Sequence, residues 1–195
     1  MNFDDTVIYP FDQQFLSVLR HLKIEKNRTS LVSPPGWGLE GMDAGEIDFG
    51  DKLGVCIQSD FDNALSNCRS AFFSGHDTAL DEDKFLLPKI CKAITEGKKT
   101  ICAVKLAREQ FEFLSMLAKI VGGKFEYIND CFKYVGLSSQ TLKSKDIAYK
   151  KILTPVITVM GIMQGVGKLD IQLSLRSHLS SLGYKPLLVA SRSYA

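Results

Sequence analysis

Residues 161 to 170, GIMQGVGKLD, hold the densest set of chemistry-bearing residue types in the chain. Gly161 is followed by five residues and then by Gly167 and Lys168, a GxxxxxGK spacing with Gly165 inside it. Glycines so spaced let backbone N–H groups turn toward a phosphate, a following helix adds partial positive charge at its N-terminus, and the lysine adds a full charge. Gly161, Gly165, Gly167 and Lys168 are therefore the candidate phosphate-binding residues. Two substitutions depart from the common pattern. Leu169 stands where a hydroxyl would ligate Mg²⁺, and Asp170 puts a carboxylate in the first helical turn, where it competes with a phosphate for the same dipole. Asp170 is thus a candidate metal contact, or a helix cap paired with Lys168. The cofactor this loop points to is ATP or GTP with Mg²⁺. Binding is a better expectation than hydrolysis, because a Walker-B carboxylate would lie beyond residue 195 in most arrangements.

Three other stretches place reactive or binding residue types together. SPPGWGLEG, from residue 33, holds the only Trp, so Pro35, Gly36, Trp37 and Gly38 are a candidate pocket at the carboxyl end of a sheet. The alternative is a Pro-Gly turn whose Trp covers the edge of the core. Asp43, Glu46, Asp48 and Asp51 follow closely and offer carboxylates to a cation, but their spacing matches no EF-hand and a solvated acidic loop is the favoured reading. Ser74, His76 and Asp77 adjoin one another, whereas a catalytic triad is assembled across a fold, so a polar loop with a helix cap is expected. No residue is assigned a catalytic role. Cys56, Cys68, Cys91, Cys102 and Cys131 form no CxxC half-site and read as reduced residues, mostly in the core; Cys56 sits in an apolar strand and Cys131 is the most exposed. His21, His76 and His178 are isolated and show no metal-ligand spacing.

The elements that must position these residues follow an alternating strand and helix order, which predicts an α/β fold: a Rossmann-like, mostly parallel sheet with helices on both faces. Strands are predicted at TVIYPF, TSLVS, LGVCIQ, SAFFSG, KTICAVKL and KFEYIN. Helices are predicted at DQQFLSVLRHL, with Asp12 as N-cap, at SDFDNALSNC, and at DEDKFLLPKICKAITEG, where Pro88 must kink the helix or lie near its start. The clearest helix is REQFEFLSMLAKIVGG, with Phe111, Leu114, Leu117 and Val121 on one face and Gly122 and Gly123 ending it. Residues 1–128 read as the Rossmann-like domain and 129–153 as a polar connector with room for a short helix. Residues 154–195 read as the start of a P-loop-like βαβ unit: a strand at PVITVMG, a helix with Ile171, Leu175, Leu179 and Leu182 in one stripe, and a strand at KPLLVAS. One βαβ unit cannot cover its own sheet, so this unit reads as truncated, or as an addition to the first domain's sheet.

Composition narrows the function classes. With 24 basic and 22 acidic residues interspersed and a net charge of +2, no basic block exists to hold nucleic acid or anionic lipid. The N-terminus MNFDDTVIYPFDQQF lacks the cationic start of a signal peptide, and no apolar run approaches about 18 residues. A cytoplasmic protein that binds neither nucleic acid nor membrane is the expectation.

The motif GIMQGVGK resembles the loop of dethiobiotin synthetase and of related P-loop proteins in which a Rossmann-like domain precedes a P-loop domain. More specifically, SPPGWGLEGMDAGEIDFG (33–50) together with GKLDIQLSLRSHLSSLGYKPLLVASR (167–192) resembles a family of bacterial proteins encoded in clostridial-type peptide maturation systems, beside radical-SAM enzymes and small Cys-rich precursor peptides. The resemblance spans nearly the whole chain and implies a process rather than a reaction. It implies an accessory protein of ribosomal peptide maturation, with a precursor peptide and maturation enzymes as partners. Two alternatives stand beside it. One is a non-catalytic module with a relic P-loop, in which Pro35–Gly38 and the acidic loop bind a peptide or partner enzyme. The other is an acyl-CoA-dependent transferase whose cofactor's diphosphate sits in the glycine loop.

Overall fold

A computed structural model of the protein describes residues 3–21, 28–74, 82–128, 153–161 and 167–188. Six strands form one sheet, β1 (Thr6–Tyr9), β2 (Thr29–Val32), β3 (Ile57–Gln58), β4 (Ser70–Phe73), β5 (Lys99–Cys102) and β6 (Phe125–Tyr127), in the order β3-β2-β1-β4-β5-β6. Every pairing is parallel. The helices are α1 (Gln13–His21), α2 (Phe61–Ser66), α3 (Leu87–Thr95), α4 (Arg108–Val121) and α5 (Lys168–Ser181). The fold is the expected Rossmann-like α/β arrangement.

Alternation along the central strands feeds two cores. Val7 and Tyr9 of β1 pack with Ala71 and Phe73 of β4 on the face covered by α2, α3 and α4. Ile8 and Phe72 point the other way, against Phe15, Leu16 and Leu19 of α1. This division follows from chirality. The chain winds outward from β1 to β3 with its connections on the α1 face, then crosses back to β4 and winds the other way, and right-handed crossovers in that direction must use the opposite face.

Local signals set the helix ends. Asp12 Oδ1 accepts the Phe15 N–H at 2.9 Å and Asp60 Oδ1 accepts the Asn63 N–H at 3.0 Å, two N-caps that begin α1 and α2. Pro88 lies in the first turn of α3, where its missing N–H removes no helical bond, and a π-helical turn at Glu82–Leu86 precedes it. Gly122 closes α4 at a φ of 70°. On α4 the buried centre is Leu114 and Ala118, while Val121 is 42% exposed.

Four sequence expectations change. LGVCIQ contributes only Ile57 and Gln58 to the sheet, since residues 53–55 are drawn into a loop closed on Asp43, and Cys56 is exposed rather than core. Residues 154–160 form no strand: all described ladders lie between residues 6 and 127, so this β-branched run has no ladder partner among the described residues, and Val156 and Ile157 are 72% and 62% exposed. The helix over 168–181 forms, but none of its side chains is fully buried, and Ile171 and Leu182 of the expected stripe are more than half exposed. Residues 184–188 carry no strand, and 129–152 and 189–195 lie outside the described residues.

Candidate functional site

In a doubly wound sheet ligands bind beyond the carboxyl ends of the strands where the order reverses, here between β1 and β4. The first strand-to-helix turn at that point reads Tyr9-Pro10-Phe11-Asp12, with a cis peptide at Tyr9–Pro10 and no glycine. The buried Asp12 carboxylate caps α1, so negative charge already occupies the helix end on which a dinucleotide's diphosphate would rest. Across the switch point Ser74 Oγ donates to the Pro10 carbonyl at 2.5 Å, tying the two central strand ends together. Beside it, Ser33 Oγ is buried with no hydrogen-bond partner among the described residues. The turn after β1 therefore lacks the glycine-rich, uncapped helix start on which a diphosphate rests.

That loop is described at its two ends. Gly161 is exposed, Gly165 lies outside the described residues, and Gly167 is the N-cap of α5 at a φ of 69°. A left-handed backbone at this point needs glycine, and no side chain caps the helix. Lys168 is the first helical residue. Leu169 packs against the core that α1 covers, which fastens this end of α5 to that side of the sheet. Asp170 does not cap the helix: its Oδ1 lies 3.0 Å from Nε2 of His21, the last residue of α1, and Ser174 Oγ lies 3.5 Å from the same nitrogen. His21, isolated in the sequence, thus meets the carboxylate of Asp170, 149 residues away.

The candidate pocket at Pro35, Gly36, Trp37 and Gly38 is a turn. Trp37 N–H donates to the Pro34 carbonyl at 3.3 Å, Gly36 and Gly38 take φ values of 89° and 71°, and Trp37 is half-buried between exposed neighbours. The chain then folds back on β3, where Gly41 N–H donates to the Ile57 carbonyl and Ile57 N–H to the Met42 carbonyl, each at 2.9 Å.

The acidic loop is organised by its own backbone rather than by a cation. One Asp43 carboxylate accepts N–H groups from Gly45 at 2.8 Å and from Leu53 and Gly54 at 2.7 Å. Burial raises the Asp43 pKa, but hydrogen bonds from Leu53, Gly45, Gly54 and Val55 outweigh that and hold it below the usual 3.8. Asp48 pairs with Arg20 at 2.6 Å and Glu46 with Lys52 at 3.0 Å. Among the described residues no group of three His, Cys, Asp or Glu side chains is placed to hold a metal. Sequence reasoning missed the role of Asp43, although an Asp two residues before a glycine and ahead of a short turn is a capping signal. Ser74 is placed as above, while His76 and Asp77 lie outside the described residues.

No family model matches the chain, and no curated protein matches it. No helix among the described residues is long and apolar enough to cross a membrane.

Proposed function

We propose that this protein holds a phosphate-bearing ligand at residues 161–168 and serves as an accessory component of a ribosomal peptide maturation system. The observation that carries the ligand reading is the start of α5, where Gly167 is left-handed, no side chain caps the helix and Lys168 is the first helical residue. Those features put backbone amides and Lys168 together at the positive end of a 14-residue helix. The glycine-free, Asp-capped turn after β1 favours this loop over the sheet crevice as the phosphate site. ATP or GTP with Mg²⁺ is the ligand in this reading, and no catalytic step is assigned to the chain. The process rests on the resemblance carried by residues 33–50 and 167–192, which names a precursor peptide and maturation enzymes as partners.

Thermal unfolding with ATP–Mg²⁺, GTP–Mg²⁺ or acetyl-CoA tests the site. A ligand at 100 times its Kd stabilises the folded state by about 2.7 kcal/mol, and the shift should vanish in Lys168→Ala. A response to acetyl-CoA alone would replace the nucleotide with an acyl-CoA cofactor. A folded chain that responds to none of the three would sink the reading.

A further inference from the structure

Phe49 is fully exposed, and its backbone adopts a φ of 60°. Both features are unfavourable for the isolated chain. A bulky side chain in the left-handed region is a genuine outlier, and strain of that kind persists only where the surroundings impose it. Here they do. The Asp43 carboxylate gathers three N–H groups, and Arg20 Nη2 donates to both the Gly45 carbonyl at 3.0 Å and Asp48 Oδ1 at 2.6 Å. Gly45 is packed too tightly against backbone to bear a side chain, and a side chain at Gly50 would displace the bracing Arg20 guanidinium. A Cβ at Gly45 would meet the Asp51 carbonyl oxygen at 2.0 Å, and one at Gly50 would meet the Arg20 guanidinium at 2.2 Å. The result is a closed, internally braced loop that presents one aromatic ring outward.

We propose that Phe49 is an anchor for a protein partner, and that the loop from Asp43 to Gly54 is a docking surface built to present it. Rigid aromatic anchors surrounded by polar residues dominate the energetics of protein interfaces, and a pre-ordered loop loses little entropy on binding. The charge around the ring identifies the partner's chemistry. Residues 43 to 52 contain four acids, Asp43, Glu46, Asp48 and Asp51; Arg20 pairs with Asp48 and Lys52 with Glu46, so the loop keeps an excess of two negative charges. The fitting partner is a protein with an apolar pocket that receives the ring and a lysine- or arginine-rich rim that faces the acids. An anionic membrane is disfavoured by the same charges. This inference does not depend on the phosphate reading, because neither Phe49 nor the loop is among residues 161–168.

The test uses the full chain with Phe49→p-benzoylphenylalanine, photo-crosslinked in the cells that make it, followed by peptide mapping of the adduct and calorimetry with the purified captured protein. The expected result is one adduct on an apolar pocket bordered by Lys or Arg. Affinity should fall on the order of 30-fold in Phe49→Ala, the fold-change of a strong interface anchor, and weaken as salt rises. Phe49→Gly supplies a second readout. It should raise the melting temperature of the isolated chain by about 2–4 °C while weakening binding as Phe49→Ala does, because strain held for binding is released. A self-adduct, an adduct on a surface without basic residues, or unchanged affinity in both variants would overturn the proposal.

Discussion

Three backbone N–H groups converge on the Asp43 carboxylate, so losing that side chain leaves several donors unmatched at once. Asp43→Ala should destabilise the protein by about 2 kcal/mol, on the scale of hydrogen bonds to a charged group, as measured by urea unfolding at neutral pH. The pH dependence has a definite sign. A carboxyl held below its ordinary pKa of 3.8 adds stability that is fully present above that value and is lost as pH falls through the lowered folded value. The gap between wild type and Asp43→Asn should therefore narrow below about pH 3.8; a constant gap would mean that the carboxylate's charge plays no part. Glycine positions divide in the same physical terms. Gly45→Ala forces its Cβ within 2.0 Å of the Asp51 carbonyl oxygen and should cost about 2–3 kcal/mol, as overpacking does. At Gly122 the space is open, so Gly122→Ala should cost only the left-handed strain, about 1 kcal/mol.

At the scale of elements, burial separates the helices. Helices α1 and α3 bury apolar side chains such as Phe15, Leu19, Ile90 and Ile94 completely or nearly so, whereas α5 has no fully buried residue. Their stabilities should differ accordingly, because local opening follows the number of buried apolar contacts. In hydrogen exchange the amides of α5 should be less protected than those of β1 and α3 by at least about two orders of magnitude. His21→Ala should lower α5 protection further while leaving the central strands unchanged, since the His21–Asp170 pair joins α5 to α1. Its effect on global stability should stay below about 1 kcal/mol, as for other solvent-exposed pairs. Equal protection of α5 and β1 would show that the segment is integrated into the cooperative core.

Across the whole molecule, the winding of the sheet decides which loops meet. Because the strands are parallel, the turns after β1 and β2 lie at one edge of the sheet, while α1 runs back to the other. Arg20 and His21, consecutive in the last turn of α1, therefore bind different partners: Arg20 braces the acidic loop at Asp48, and His21 receives Asp170 from α5. One helix end thus connects the loop that displays Phe49 with the helix that begins at the glycine loop. Both proposed sites depend on this end of α1.

Local signals in the sequence were sufficient for much of the fold. The short apolar runs TVIY and SAFF, the Asp caps at 12 and 60, the glycine after the helix at 108–121 and the position of Pro88 near a helix start are all short-range physics, and they appear where the residues imply. The P-loop-like spacing was equally legible, since glycines before a lysine and a helix need no tertiary context to be seen. Other outcomes required the packed molecule. Whether a β-branched run becomes a strand depends on a neighbour to pair with, and residues 154–160 lack one among the described residues. Which face each helix covers depends on crossover handedness. The meeting of His21 with Asp170, the closure of the loop on Asp43 and the outward, strained placement of Phe49 are relations between residues that adjacency and periodicity do not encode, so only the tertiary structure decided them.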